Sequence, residues 1–247
     1  MTADTPTLLL TRPHAQAERF ATEFVERFGN LIPIISSPIL QIVTREAEIG
    51  LDGVSGLIFT SENGVRAFRA LAADRRFAAY CVGSRTTQAA RNLGLRAREV
   101  GADASSLVNY LTANPPGGKL VHLRGANTRG DVAKRLTAAG QRCEQQVLYD
   151  QTPQQLSQNA LAALAGDVPV LLPIFSPRSA MLLSEVAQNA RAPLAIATMS
   201  EAVTNAWTGP KPKFLKQAHH PDSDAMLDAL GWLIDALQCL EGNHRPS

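Results

Sequence analysis

The chain has 247 residues, a net charge of +2 and acids and bases spread along its length, which suits one large or two small globular domains and excludes a nucleic-acid-binding stripe. Its three cysteines, Cys81, Cys143 and Cys239, are widely spaced with no Cys-x-x-Cys; that argues against a disulfide framework and a zinc site and fits a reducing cytoplasm. Met1 to Pro6 is polar before a short apolar run, Leu8 to Leu10, and no stretch approaches the ~20 apolar residues that span a bilayer, so neither a secretory signal nor a membrane segment is expected.

Short apolar runs alternate with amphipathic stretches throughout. A strand over Thr7–Leu10 passes through Thr11-Arg12-Pro13 into a helix over Ala17–Phe28, and strands follow over Leu31–Ile35 and Ile39–Val43. The prolines of Pro33–Pro38 mark an extended crossing segment, because Pro disfavours helix at the residue before it. Next, a strand over Gly56–Phe59 leads through Ser61-Glu62-Asn63-Gly64 into a helix over Val65–Ala72. A strand over Tyr80–Val82 leads through Gly83-Ser84-Arg85-Thr86 into a helix over Thr87–Leu93, and Arg96–Val100 precedes a helix over Leu107–Leu111 opened by Asp103.

The second half has the same grammar. A strand over Leu120–Leu123 turns at Arg124-Gly125 toward a helix over Val132–Ala139, and a strand over Gln145–Tyr149 ends near Thr152-Pro153. A helix over Leu156–Leu164 precedes a strand over Val170–Phe175, the corner Ser176-Pro177-Arg178 and a helix over Ala180–Asn189. Strands over Leu194–Ala197 and Lys213–Ala218 follow, then a helix over Ala225–Leu240 started by the acids Asp222 and Asp224. The polar tail Glu241–Ser247 is expected to fray. Strands alternating with helices give parallel sheets covered on both faces, and unbroken apolar strands such as Val170–Leu172 agree with burial on both sides.

The halves repeat one another. Phe59-Thr60-Ser61 before its helix matches Phe175-Ser176-Pro177, Thr11-Arg12-Pro13 matches Leu123-Arg124-Gly125, and Val82-Gly83 to Thr86 matches Ile196-Ala197 to Ser200. Ile32–Ile35 pairs with Gln146–Tyr149, and Asp103 with Asp222. Ordered matches at nearly one spacing indicate an internal duplication. Two organisations fit the pattern equally well: one domain inserted in the other with crossings near Ser37 and Gln151, or contiguous halves split near Pro115–Gly118.

In a doubly wound sheet the helix starts gather at the carboxyl ends of the strands, where ligands bind. Free N–H groups and the positive helix end favour anions there. The residues at those corners are Thr11, Arg12, Ser61, Asn63, Gly64, Gly83, Thr86, Arg124, Gly125, Ser176, Arg178 and Ser200. Singly, each has a plain structural reading: Ser61 and Ser176 as helix caps, Gly83 and Gly125 as tight turns, Arg12 and Arg124 as surface residues. Two facing sets across one cleft would instead cradle a polyanion. Carboxylates are the natural guest, since both phosphate-loop patterns, G-x-G-x-x-G and G-x-x-x-x-G-K-[ST], are missing.

Other chemistry is sparse. There is no G-x-S-x-G elbow and no H-E-x-x-H. His122 reads as a satisfied core residue, and His219-His220 as neighbours pointing oppositely, so no shared metal is expected. Tyr149 ends a strand at the crossing. A phenol there stays protonated at neutral pH and can donate to a leaving oxygen, although a tyrosine packed at an inter-domain hinge is the plainer reading of the residue taken singly.

Together the motifs Leu9-Leu10-Thr11-Arg12-Pro13, Phe59-Thr60-Ser61-Glu62-Asn63-Gly64-Val65, Val82-Gly83-Ser84-Arg85-Thr86, Arg124-Gly125, Leu148-Tyr149-Asp150-Gln151-Thr152, Phe175-Ser176-Pro177 and Ile196-Ala197-Thr198-Met199-Ser200 resemble, in order and spacing, the uroporphyrinogen-III synthase family over nearly the whole chain. Ala197 stands where the family pattern has Gly, and Ser200 where it has Thr. The resemblance implies two flavodoxin-like α/β domains, residues 1–36 with 152–247 and an inserted 37–151, joined by a two-segment connector. It implies a monomeric cytoplasmic lyase without metal or cofactor. It further implies a linear tetrapyrrole polycarboxylate as substrate, hydroxymethylbilane, received by transient contact with the enzyme upstream and closed with inversion of ring D and loss of water. Tyr149 is the expected aid to departure of the hydroxyl. The rival reading is a two-lobed binding or sensor protein that closes on an anionic small molecule without chemistry.

Overall fold

The computed structural model describes residues 5–46, 48–71, 76–128 and 130–242. They form two compact units, Met1–Gln41 with Pro153–Ser247, and Ile42–Thr152. The first part of the chain holds β1 (Thr7–Leu10), α1 (His14–Phe28), β2 (Ile34–Ser36), β3 (Leu40–Thr44), β4 (Val54–Phe59), α2 (Glu62–Leu71), β5 (Ala78–Val82), α3 (Ser84–Asn92), β6 (Arg96–Gly101) and α4 (Ala104–Ala113). The second holds β7 (Lys119–Gly125), α5 (Val132–Ala138), β8 (Cys143–Pro153), α6 (Gln158–Ala165), β9 (Val170–Ile174), α7 (Pro177–Val186), β10 (Leu194–Thr198), α8 (Glu201–Asn205), β11 (Phe214–Gln217) and α9 (Ser223–Gly242).

This is a mixed α/β fold with parallel sheets. The first unit's sheet has the order β11-β10-β9-β1-β2, and its neighbours run parallel. The second unit's sheet has the order β3-β8-β7-β4-β5-β6, parallel from β8 to β6. Strand β3 runs antiparallel to β8: Arg45 N–H donates to Leu148 O and Gln154 N–H to Ile39 O, so residue number rises in one strand as it falls in the other. Arg45 also forks onto Asp150 at 2.6 and 2.8 Å.

Alternation along buried strands divides the core between sheet faces. Leu9, Leu172, Ile174 and Ile196 pack with α6, α7 and α8, whereas Leu8, Leu10, Leu171 and Ala195 pack with α1 and α9. In the second unit Leu57, Phe59, Val121 and Leu123 face α2 and α3, and Ile58 and Leu120 face α4 and α5. Val170–Ile174 is buried at all five positions, as a central parallel strand requires.

The elements depart from the sequence pattern at their ends. The strand expected from Leu31 begins at Ile34, leaving Leu31 83% exposed; the first parallel bond there is accepted by the carbonyl of Pro33, which has no N–H to give. Helix α8 was too short for its period to show. Strand β8 runs through Tyr149 to Pro153. Residue 72 and residues 243–247, hence most of the tail expected to fray, lie outside the described residues.

His122 on β7 is 2% exposed; its Nε2 lies 3.2 Å from Thr60 Oγ1, but Nδ1 is buried without a hydrogen bond. The expectation of a fully satisfied core histidine therefore fails at one nitrogen. Burial, with the nearby Arg124 cation second, pushes its pKa down from 6.5 to about 4. The unfolded chain then takes up a proton at a higher pH than the native one. The resulting stability is complete above pH 6.5 and is lost as pH falls to about 4, a loss of up to about 3 kcal/mol. In urea titrations across that window, His122→Gln should flatten the dependence by about one proton; an unchanged slope would assign it to other groups.

Candidate active site

Because the strands of each sheet run parallel, their carboxyl ends and the following helix starts share one edge of that sheet. In both units the chain reverses direction along the sheet at one place, between β1 and β9 in the first and between β7 and β4 in the second. Such a switch point leaves a crevice at the carboxyl edge. Thr11, Arg12, Ser176 and Arg178 flank the first, with Ser200 one strand further on; Arg124, Gly125, Ser61, Asn63 and Gly64 flank the second, with Gly83 and Thr86 one strand further on.

The hydroxyls at these corners fall into two classes. Ser176 caps α7: its Oγ accepts from Ser179 N–H at 3.1 Å, with Pro177 at the first helical position. Ser61 Oγ accepts from Asn63 N–H at 3.2 Å. Thr11 and Thr86, both buried, and Ser200 make no side-chain hydrogen bond among the described residues. Thr86 and Ser200 occupy equivalent places in the repeat, and both keep an uncommitted hydroxyl.

The arginines differ as well. Arg12 lies flat on Phe175, its Cζ 3.8 Å from the ring centroid, and Phe175 is braced edge-on by Phe20. Arg124 turns onto its own loop instead, donating to Gly125 O (2.9 Å), Ala126 O (3.1 Å), Thr128 Oγ1 (3.0 Å) and Gln145 Oε1 (3.1 Å). Arg178 stands in the first turn of α7 and Arg85 in the first turn of α3, and neither turn has an acid. A cation at a helix start opposes the macrodipole.

The glycines have distinct reasons. Gly83 has φ +75°, the left-handed region that favours glycine. Gly64 has no such φ; a Cβ there would sit 2.9 Å from the Leu123 carbonyl oxygen. Gly125, expected to permit a tight turn, instead makes room for Tyr149: an added Cβ would lie 2.6 Å from two ring carbons and 2.9 Å from the phenolic oxygen. Ala197 lies within β10, so the late corner is built differently from that at Gly83: the strand continues to Thr198 and Ser200 becomes the N-terminal residue of α8.

Tyr149 is 3% exposed, inside β8 rather than at its end, and packs with Phe59, Phe68 and Leu123. Its ring and hydroxyl lie against Gly125, beside the switch point of its unit. Burial raises its pKa, so the phenol is protonated at neutral pH. Sequence reasoning missed Phe175 as the platform for Arg12, Thr128 as the anchor for Arg124 and Arg45 as the partner of Asp150; Phe175 stands in a quoted motif, but no local signal pairs any of the three with its partner.

Other reactive groups are set aside by their surroundings. Burial drives the Cys81 thiol up to about 12 and the Cys143 thiol up to about 11, so neither is a thiolate at neutral pH. His219 and His220 sit in a bend, not an extended strand, and their rings approach to 5.0 Å, contrary to the opposite pointing expected. Among the described residues no group of three or more His, Cys, Asp or Glu is placed to hold a metal ion, and no helix is long and apolar enough to cross a membrane.

The family model for uroporphyrinogen-III synthase HemD matches residues 19–228. No curated protein matches in sequence. Among solved structures, the chain is similar to the uroporphyrinogen-III synthetase of Helicobacter pylori, with TM-score 0.61 and 13% identity over 92% of this chain and 99% of that one. It is also similar to a mutant uroporphyrinogen III synthase of Thermus thermophilus, with TM-score 0.50 and 14% identity over 93% of this chain and 99% of that one. At those identities the likeness shows the shared fold, and the family model shows the membership: the chain belongs to the uroporphyrinogen-III synthase family, enzymes of the cyclising lyase class.

Replacing Gly125 with Ala should displace the Tyr149 ring and cost about 1–3 kcal/mol by overpacking. Urea unfolding measures the loss and near-ultraviolet circular dichroism the altered tyrosine environment. Wild-type values for both would mean that the ring has room to spare.

Proposed function

We propose that this member of the family cyclises hydroxymethylbilane with inversion of ring D and loss of water, giving uroporphyrinogen III in tetrapyrrole biosynthesis. The single observation that carries the reading is the match of the uroporphyrinogen-III synthase family model over residues 19–228. Carboxylates of the substrate take the helix-start backbone N–H groups that no side chain caps, close to Arg85 and Arg178 in the first turns of α3 and α7. The uncommitted hydroxyls of Thr11, Thr86 and Ser200 supply further donors, and Arg12, held flat on Phe175, presents a planar cation.

The finer architecture in this proposal is a pair of flavodoxin-like domains from a duplication. The order β2-β1-β9-β10-β11 and the order β8-β7-β4-β5-β6 are the same arrangement under the sequence repeat, and both follow the flavodoxin order. Each unit thus unites the opening strands of one repeat with the closing strands of the other. The β3/β8 ladder is the two-segment connector. The chain works as a monomer in the cytoplasm, and the enzyme upstream hands over the substrate by transient contact.

The chemistry asked of the protein is mainly positioning. The substrate is already reactive and closes unaided without inversion; orientation of its ends can contribute roughly 7–11 kcal/mol. In the elimination step the bond from carbon to the terminal hydroxyl breaks, the Tyr149 phenol gives its proton to that oxygen, and water leaves. The proton released when the closed ring regains aromaticity restores the phenol, so the cycle balances.

Mixing the purified protein with hydroxymethylbilane and separating the isomers tests the whole reading. The inverted isomer should dominate. Binding with only the spontaneous, non-inverted product would leave a sensor in place of an enzyme. Tyr149→Phe should lower kcat with product identity unchanged; an unchanged rate removes Tyr149 from the reaction.

A further inference from the structure

Strand register brings Arg12 and Phe175 together. Strands β1 and β9 pair in parallel with Thr7 opposite Val170 and Leu8 opposite Leu171, and the same register carried past the strand ends sets Arg12 opposite Phe175. The two residues stand on either side of the first unit's switch point. The guanidinium carbon lies 3.8 Å from the ring centroid, the spacing of a stacked plane. The ring itself is fixed: buried Phe20 meets it edge-on at 5.0 Å and 82°, and it packs against the core shared with α1 and α9. A guanidinium carries its N–H groups in its own plane, so one lying on an aromatic face keeps its fork pointing sideways past the ring, the shape that matches a carboxylate.

The repeat shows that the residue types alone do not dictate this use. Phe59 and Arg124 are the counterparts of Phe175 and Arg12 in the second unit. There Phe59 is fully buried, meets Phe68 at 5.8 Å and packs with Tyr149, so its face is already covered. Arg124 is bonded instead to Gln145, Thr128 and two carbonyls of its own loop. We infer that Phe175 is a positioning residue that acts through Arg12: it is the platform that presents the guanidinium fork at the first unit's crevice, where the fork takes one carboxylate of the substrate through two in-plane N–H groups. This deepens the proposed reaction and rests on the polycarboxylate substrate named there. No covalent bond is made or broken at either residue, and Phe20 serves only to brace the ring.

The test measures kcat and KM with hydroxymethylbilane, and the Kd of uroporphyrin III by quenching of its fluorescence, on the full chain with folding checked by circular dichroism. Phe175→Leu, which keeps an apolar side chain but no aromatic face, should raise KM and Kd about ten-fold, the worth of one desolvated stack, and alter kcat far less. Phe175→Met is the second variant should the Leu variant not fold. Phe175→Tyr, which keeps the face, should restore both constants. Arg12→Lys, which keeps the charge and loses the fork, should weaken binding as Phe175→Leu does. In an Arg12→Ala background, Phe175→Leu should add no further loss. A purely structural ring would cost the same in both backgrounds; that result, or wild-type binding by Arg12→Lys, overturns the inference while leaving the reaction standing. A wild-type chain that binds the porphyrin no better than Arg12→Ala does also overturns it. Coupled losses in porphyrin binding, beside a wild-type chain that makes no inverted isomer, would uphold the grip and sink the reaction.

Discussion

The parallel pairing of the strands is the constraint from which the rest follows. A parallel ladder cannot be closed by a tight turn, so each strand must be followed by a crossover, and here the crossovers are helices that cover both faces of each sheet. Every strand then delivers its carboxyl end, and every following helix its unpaired N–H groups, to the same edge. That edge is electropositive before a single side chain is counted. Arg85 and Arg178 add to it where an isolated helix would carry an acid.

A hydroxyl at such a corner can satisfy its helix or wait for a ligand, and the structure sorts the candidates by their partners. Ser176 and Ser61 are spent on their own helices, while Thr11, Thr86 and Ser200 remain uncommitted among the described residues. The repeat sharpens the point: Thr86 and Ser200 agree although Gly83 and Ala197, three residues before each, build different corners. The strands before the two corners each have five residues, and both corners keep the hydroxyl. Arg12 and Arg124 diverge in the opposite way, with identical residues at equivalent places put to different uses.

The fold was legible because its signal is periodic. Runs such as Leu8–Leu10 and Val170–Ile174 are buried on both faces, and their composition records that directly. What escaped was short or non-local. Helix α8 has five residues, too few for a period to appear. Gly125 looks like a turn glycine in sequence, yet its reason is a ring twenty-four residues away that arrives with the next strand. Ser61 and Thr86 are chemically alike and sit at like corners; what separates them is that Ser61 accepts the Asn63 N–H, a choice of rotamer that composition does not record. His219 and His220 were assigned extended geometry, and a bend set their rings together.

The central claim is that uncommitted corner hydroxyls, and not the capping ones, hold the carboxylates. One measurement reaches it most directly: the Michaelis constant for hydroxymethylbilane in Thr11→Val, Thr86→Val, Ser200→Ala and Ser176→Ala, each checked for folding. The first three should raise KM several-fold with kcat little altered, while Ser176→Ala should lower stability by about 1 kcal/mol and leave KM where it was. A KM raised by Ser176→Ala, with the other three at the wild-type value, would contradict the account.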